Sequence, residues 1–230
     1  MGVNLPGFKK GDRTDIELPA VQRELIDALH RAGKKVILVN CSGSPIGLEP
    51  ETQKCEAILQ AWYPGQQGGK AVAEVLFGDY NPAGKLPVTF YRNVSQLPDF
   101  EDYNMTGRTY RYMQDVPLFP FGYGLSYTTF GYGKTVLDKN ELTAGQSLKL
   151  TVPVTNTGKR NGEEVVQVYL RKQGDAEGPI KTLRAFKRVS IPAGKTVNVE
   201  FDLKDKELEW WDDQSNTCLL YTSPSPRDRG

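Results

Sequence analysis

Asp12, Asp15 and Glu17 place three carboxylates within the stretch GDRTDIELP, with the cation Arg13 among them. Closely set carboxyl groups can do general acid–base or nucleophilic chemistry. The same positions also suit a helix start, where Asp15 and Glu17 would cap free N–H groups and oppose the helix dipole. His30 is the sole histidine and lies on the helix that follows. A His-based metal site or a Ser/His triad would rest on it alone, and a surface position is the simpler reading. Cys41, Cys55 and Cys218 have no zinc or redox spacing, so reduced thiols are expected. GDYNPAGK and GQQGGK look faintly like phosphate loops. Both lack P-loop spacing and the Ser/Thr after the lysine, and the first follows a helix instead of a strand, so both are rejected. Gly65, Gly68 and Gly69 are expected to let a turn and a helix start pack closely. The triplets at Asn40, Asn93 and Asn104 match the glycosylation pattern, which arises easily by chance.

The elements that must hold these residues change in kind along the chain. Residues 17–32 read as a helix, with Leu18, Val21, Leu25 and Leu29 on one apolar face, Pro19 in the first turn and Gly33 as a stop. KKVILVN and AILQAW are short continuous apolar runs, the pattern of strands buried on both faces of a parallel sheet. GGKAVAEVLFG reads as a helix ending at Gly78, and GKLPVTF as a third, weaker strand. This order implies a layered α/β unit, short for a complete domain of that class. Residues 93–130 are irregular and aromatic, an ordered connector packed on its neighbours. From about residue 131 the apolar period becomes two. Leu148, Leu150, Val152 and Val154 alternate with polar residues, as do Val197, Val199, Phe201 and Leu203. Several such strands make a β-sandwich.

The chain has 230 residues, enough for one large or two small domains. Its 29 basic and 28 acidic residues leave a net charge of +1, which offers no footprint for nucleic acid or an anionic membrane. No apolar run approaches membrane-spanning length, and the first residues lack the apolar core of a signal peptide.

Four long motifs occur in order: DRTDIELPAVQRELIDAL, ILQAWYPGQQGGKAVAEVLFGDYNPAGKLPVTF, PLFPFGYGLSYTTF and FKRVSIPAGKTVNVEFDL. Together they resemble the C-terminal half of family three glycoside hydrolases, from Gly11 to Thr217. GRTYRYM before PLFPFGYG resembles the β-xylosidase branch most, with β-glucosidases as the close alternative. The resemblance implies a partial α/β sandwich over residues 1–92, an aromatic connector over 93–126 and a fibronectin type III-like sandwich over 127–217, lacking its last strand. CLLYTSPSPRD back-translates to the adapter of transposase-based sequencing libraries, so residues 218–230 are expected to be adapter-derived and poorly specified.

Members of this family are retaining exo-glycosidases with a (β/α)8 barrel, an α/β sandwich and often a fibronectin type III-like domain. Their nucleophile is a barrel aspartate, and the acid/base is a glutamate just upstream of the segment matching GDRTDIELP. A barrel needs about 250 residues, and Met1–Lys10 contain no Glu or Asp. The resemblance therefore implies no catalytic residue in this chain, a Met1 that matches an internal methionine, and an apolar face left open by the cut. Asp12 and Arg13 match the family's Asp-Arg pair beside the acid/base, a loop-organising ion pair or a sugar contact. Arg108, Tyr110 and Arg111 border the active-site mouth or hold domains together. Asp12, Arg13 and Tyr110 are the candidate substrate contacts. Trp62 and Tyr63 stack on a sugar or pack in the core. Trp210 and Trp211 form a carbohydrate platform, or one of them fills the sandwich core. The partner implied is an oligosaccharide, bound together with the barrel. No metal, cofactor, nucleic acid or membrane is implied, and export would depend on a leader upstream. The other functional readings are a non-catalytic carbohydrate-binding or structural module and a self-sufficient enzyme using carboxylates within the chain, the last opposed by the missing barrel.

Overall fold

A computed structural model describes residues 15–99, 101–143, 145–212 and 217–220, with backbone alone at 211–212 and 217–220. The chain divides into two compact units, one of residues 1–80 and 86–123, the other of 81–85 and 124–230.

In the first unit, helix α1 (Ala20–Arg31) leads to strand β1 (Ile37–Asn40), the short helix α2 (Glu49–Thr52), strand β2 (Ala57–Gln60) and helix α3 (Gly68–Phe77). Strands β1 and β2 pair in parallel, Ile37 opposite Ala57 through Asn40 opposite Gln60. Helix α1 starts at Pro19, which acts as its cap residue and carries no side-chain hydrogen bond. Gly33, at φ 68°, ends the helix. Its N–H donates to the His30 carbonyl and that of Lys34 to the Leu29 carbonyl, the paired bonds of a Schellman motif. Helix α3 stops at Gly78, also left-handed, as its sequence implies.

Two expectations for this unit fail. The apolar stripe of α1 is not its buried face: Val21 is 70% and Leu25 61% exposed, whereas Ile26 is 7% exposed. The inward face is set by ion pairs, Arg23 with Glu51 and Asp27 with Lys54, which turn the Arg23–Ile26–Asp27 side toward α2. Ile26 then packs with Leu18, Ile46 and Leu48. GKLPVTF is not a strand either; only Phe90 bridges, antiparallel, to Phe119. Pro87 lacks the N–H that a continuous ladder would need.

The second unit contains strands β3 (Phe130–Tyr132), β4 (Val136–Leu137), β5 (Leu148–Asn156), β6 (Gly162–Leu170), β7 (Thr182–Ile191) and β8 (Thr196–Leu203). After the single turn α4 (Thr109–Tyr112) of the first unit, helix α5 spans Asp205–Leu208 in the second and precedes β9 (Glu209–Asp212) and β10 (Thr217–Leu220). Strand β5 pairs with β8 over eight residues on one side and with β3 and β4 on the other. The Pro153 carbonyl accepts the Gly133 N–H at 2.8 Å, so the ring nitrogen of Pro153 faces that same side. The missing donor explains why the partner is split into β3 and β4. Strands β6 and β7 form the facing sheet. Alternating residues of both sheets meet in one core, with Leu148, Leu150, Val152, Val154, Val199, Phe201 and Leu203 joined by Val166 and Ile191. This is the two-period pattern that the sequence carries. Trp210 is buried, with the Arg184 guanidinium 5.1 Å above its ring, so it fills the core and is no platform. The Trp211 side chain lies outside the described residues. Cys218–Leu220, expected to be poorly specified, pair antiparallel with β9.

GDYNPAGK resolves as a stitch in this unit. The Asn81 amide donates to the Asn161 carbonyl at 3.0 Å and accepts from Ser126 Oγ at 2.8 Å. Lys85 Nζ lies 3.2 Å from Glu164, whose other oxygen accepts the Tyr132 hydroxyl at 2.9 Å. Burial, then the bond to Glu164, pushes the Tyr132 phenol well above its ordinary value. A raised tyrosine favours the folded state below the unfolded pKa of about 10 and loses that contribution as pH rises through it. The urea midpoint of the chain should fall as pH is raised above about 10, and fall less in Tyr132→Phe. An equal fall in the variant would show that Tyr132 is not part of the titration.

Candidate functional site

Asp12 and Arg13 lie outside the described residues, which begin at Asp15. Asp15 Oδ1 accepts the Glu17 N–H at 2.9 Å, a local turn and not a helix cap. The first turn of α1 holds no acidic residue, so the capping expected of Asp15 and Glu17 is absent. Leu18 and Pro19 intervene, and Glu17 is engaged elsewhere.

Its partner is Arg23. One guanidinium nitrogen, Nη2, donates to Glu17, to the Gly47 carbonyl at 3.1 Å and to Glu51 Oε2 at 3.3 Å. Nε donates to Glu51 Oε1 at 2.8 Å, and Glu51 is only 1% exposed. Burial opposes the charge on Arg23, but its hydrogen bonds to Glu51 and Glu17 outweigh it and hold the guanidinium above its ordinary value. Gly47 donates its N–H to the Ile16 carbonyl at 2.9 Å. A side chain there would meet the Arg92 carbonyl oxygen at 2.9 Å, so the close approach requires glycine. Arg92 adds a bond to Glu49 at 2.6 Å. Both oxygens of Glu51 and one oxygen each of Glu17 and Glu49 thus accept from guanidinium donors, the geometry of structural ion pairs. Glu49, Glu51, Arg92 and Gly47 were not singled out from sequence. Their one signal is the unusual GLEPET, where two carboxylates flank a proline.

Tyr110 sits in an aromatic region formed within the same unit. Its ring stacks on Phe121 with centroids 4.2 Å apart. Thr109, immediately before it, has φ 56°, rare for a β-branched residue, and its N–H donates to the Tyr91 hydroxyl at 3.2 Å. Arg108 donates to the carbonyls of Asn104, Asp99 and Asp102, which ties the preceding turn together. Arg111 lies over the Tyr112 ring at 5.6 Å. Trp62 packs edge-on against Phe90, and Phe90 against Phe119, while Tyr63 is 81% exposed. Hence Trp62 takes the core role and Tyr63 does not. His30 is exposed on α1. Among the described residues, no group of His, Cys, Asp and Glu is placed to hold a metal ion, and no helix is long and apolar enough to cross a membrane.

A parallel α/β unit followed by an antiparallel sandwich is the domain order that two family models match in this chain. Residues 3–127 match the glycosyl hydrolase family 3 C-terminal domain, and residues 164–223 match the fibronectin type III-like domain. The chain belongs to glycosyl hydrolase family 3. It is 60% identical over 94% of its length to a xylan 1,4-beta-xylosidase of Xylanibacter ruminicola, of which it covers 25%. It is 41% identical over 88% of its length to a periplasmic beta-glucosidase of Salmonella typhimurium, covering 28% of that protein. Among solved structures, a β-glucosidase from Erythrobacter marinus shares 41% identity at a TM-score of 0.80, over 95% of this chain and 29% of that one. The beta-glucosidase of Listeria innocua in complex with isofagomine superposes at a TM-score of 0.76 and 31% identity, over 90% of this chain and 30% of that one. The chain thus spans between a quarter and a third of the length of these relatives.

The Arg23 clamp carries a stability prediction. Arg23→Met should lower the unfolding free energy by about 3–5 kcal/mol, because Glu51 is left buried and unmatched. Arg23→Met combined with Glu51→Leu should recover most of that loss in a urea titration. A double variant no better than the single one would show that the carboxylate is not the source.

Proposed function

We propose that this chain is the C-terminal part of a retaining exo-β-glycosidase that removes terminal β-xylosyl residues in plant polysaccharide breakdown. The observation that carries the sugar assignment is the 60% identity to a xylan 1,4-beta-xylosidase, against 41% to the periplasmic beta-glucosidase. A β-glucosidase is the second reading, favoured by the β-glucosidases among the structural neighbours. A retaining mechanism uses two carboxyl groups. One attacks the anomeric carbon, and the other protonates the leaving oxygen and then activates water. In this reading both come from chain outside the present sequence, and carboxylates and water suffice without a cofactor. The Arg23–Glu51 clamp anchors the segment that follows the acid/base loop, where Asp12 and Arg13 organise that loop. Tyr110, braced by Phe121 on one face, borders the mouth of the site.

The test is hydrolysis of aryl β-xyloside and aryl β-glucoside by the purified chain, with and without a separately expressed barrel half that includes the acid/base loop. The expected result is no turnover by the chain alone and turnover of the xyloside on mixing. Preference for the glucoside would move the assignment to the second reading. Turnover by the chain alone would place the catalytic pair within these 230 residues.

A further inference from the structure

Apart from Gly47, the loops at the carboxyl ends of β1 and β2 take no part in the ion-pair clamp. Ligands of open parallel α/β sheets bind at this end of the strands. The loop after β1 is held rigid by its own polar network. Asn40, 6% exposed, donates to Ser42 Oγ at 3.0 Å and to Gln60 Oε1 at 2.6 Å. Gln60 Nε2 donates back to Ser42 Oγ at 3.2 Å, and Ser42 Oγ donates to the Ser44 carbonyl at 2.9 Å. Gly43 is therefore fixed in place between two tethered serines.

The loop after β2 meets it from the other side. Trp62 has φ 55°, a left-handed backbone that is strained for a bulky residue. The turn separates two neighbouring aromatics. Trp62 goes inward against Phe90, with centroids 6.1 Å apart, while Tyr63 goes outward and stays 81% exposed. The Tyr63 ring rests on Gly43 so closely that a Cβ there would lie 2.7 Å from both its Cζ and its hydroxyl. Contact with Gly43 narrows the orientations open to an exposed ring, which lowers the entropy cost of ordering it on binding. The surrounding chemistry is uncharged: CSGSPIGL and AWYPGQQGG, the two loops, contain no Asp, Glu, Lys or Arg, and Gln66 and Gln67 are exposed beside Tyr63.

We propose that Tyr63, seated on Gly43, is a stacking platform for one neutral pyranose unit of a β-linked oligosaccharide, whose hydroxyls meet the amides and hydroxyls of the rim. An aromatic face matches the C–H face of such a ring, and neutral donors and acceptors match its hydroxyls. A charged ligand would find no counter-charge in these loops. The inference rests on the reading of the chain as part of a polysaccharide-degrading enzyme.

The test is titration of the full chain with xylohexaose and with cellohexaose, followed by NMR shifts. A tri-galacturonate serves as the anionic control. Saturable binding of one or both neutral sugars is expected. It should weaken about tenfold or more in Tyr63→Ala and persist in Tyr63→Phe. Gly43→Ala is the sharper variant. Its Cβ meets only the movable end of the Tyr63 ring, so the thermal midpoint should hold while binding falls as in Tyr63→Ala. Unchanged binding in Tyr63→Ala and Gly43→Ala, no binding of either neutral sugar, or preference for the anionic one would each overturn the platform. Hydrolysis by the mixed halves is read separately. Tyr63-dependent binding without hydrolysis on mixing would keep the platform and sink the enzymatic reading.

Discussion

A carboxylate taken out of water must be matched by a cation, and each unit of this chain is arranged around one such match. In the first, Glu51 is 1% exposed and must meet a guanidinium. That requirement turns α1 by its Arg23 face, brings Ile16–Glu17 against Gly47 and leaves the apolar Val21–Leu25 line outward. In the second, Glu164 is 8% exposed and meets Lys85, and so residues 81–85 belong with the sandwich although they precede the return to the first unit. Breaking such a pair costs more than the pair itself contributes, because the remaining charge stays buried.

This logic explains why motifs that look chemical in sequence turn out to be architectural. The lysine of GDYNPAGK is spent on Glu164 and on the Gly124 carbonyl, 2.8 Å away, and its asparagine on Asn161 and Ser126. In the first unit Glu17, Glu49 and Glu51 are each held by an arginine.

Backbone strain falls where side chains must diverge. Trp62 and Thr109 are the two non-glycine residues with positive φ among those described. Each precedes an aromatic residue: Tyr63 turns outward after the inward Trp62, and Tyr110 follows Thr109. Surrounding packing, Phe90 for Trp62 and the Tyr91 hydroxyl for Thr109, holds these conformations against their cost.

The sequence by itself determined what depends on near neighbours along the chain. The alternation of Leu148 to Val154 and of Val197 to Leu203 specified the sandwich strands, because period two leaves only one face to bury. Gly33 and Gly78 marked the helix ends, because only glycine enters the left-handed region at no cost. The ordered motifs identified the family. Tertiary structure decided what depends on distant partners. The choice of Ile26 over Leu25 as the buried face of α1 was made by Glu51 and Lys54, two dozen residues or more away. The reduction of GKLPVTF to a single bridge was set by Pro87 against a partner at Phe119. The divergence of Trp62 from Tyr63 was made by Gly43 and Phe90. Apolar periodicity reports which faces can be buried, but ion pairs and close backbone contacts choose among them, and those are formed only when the chain has folded.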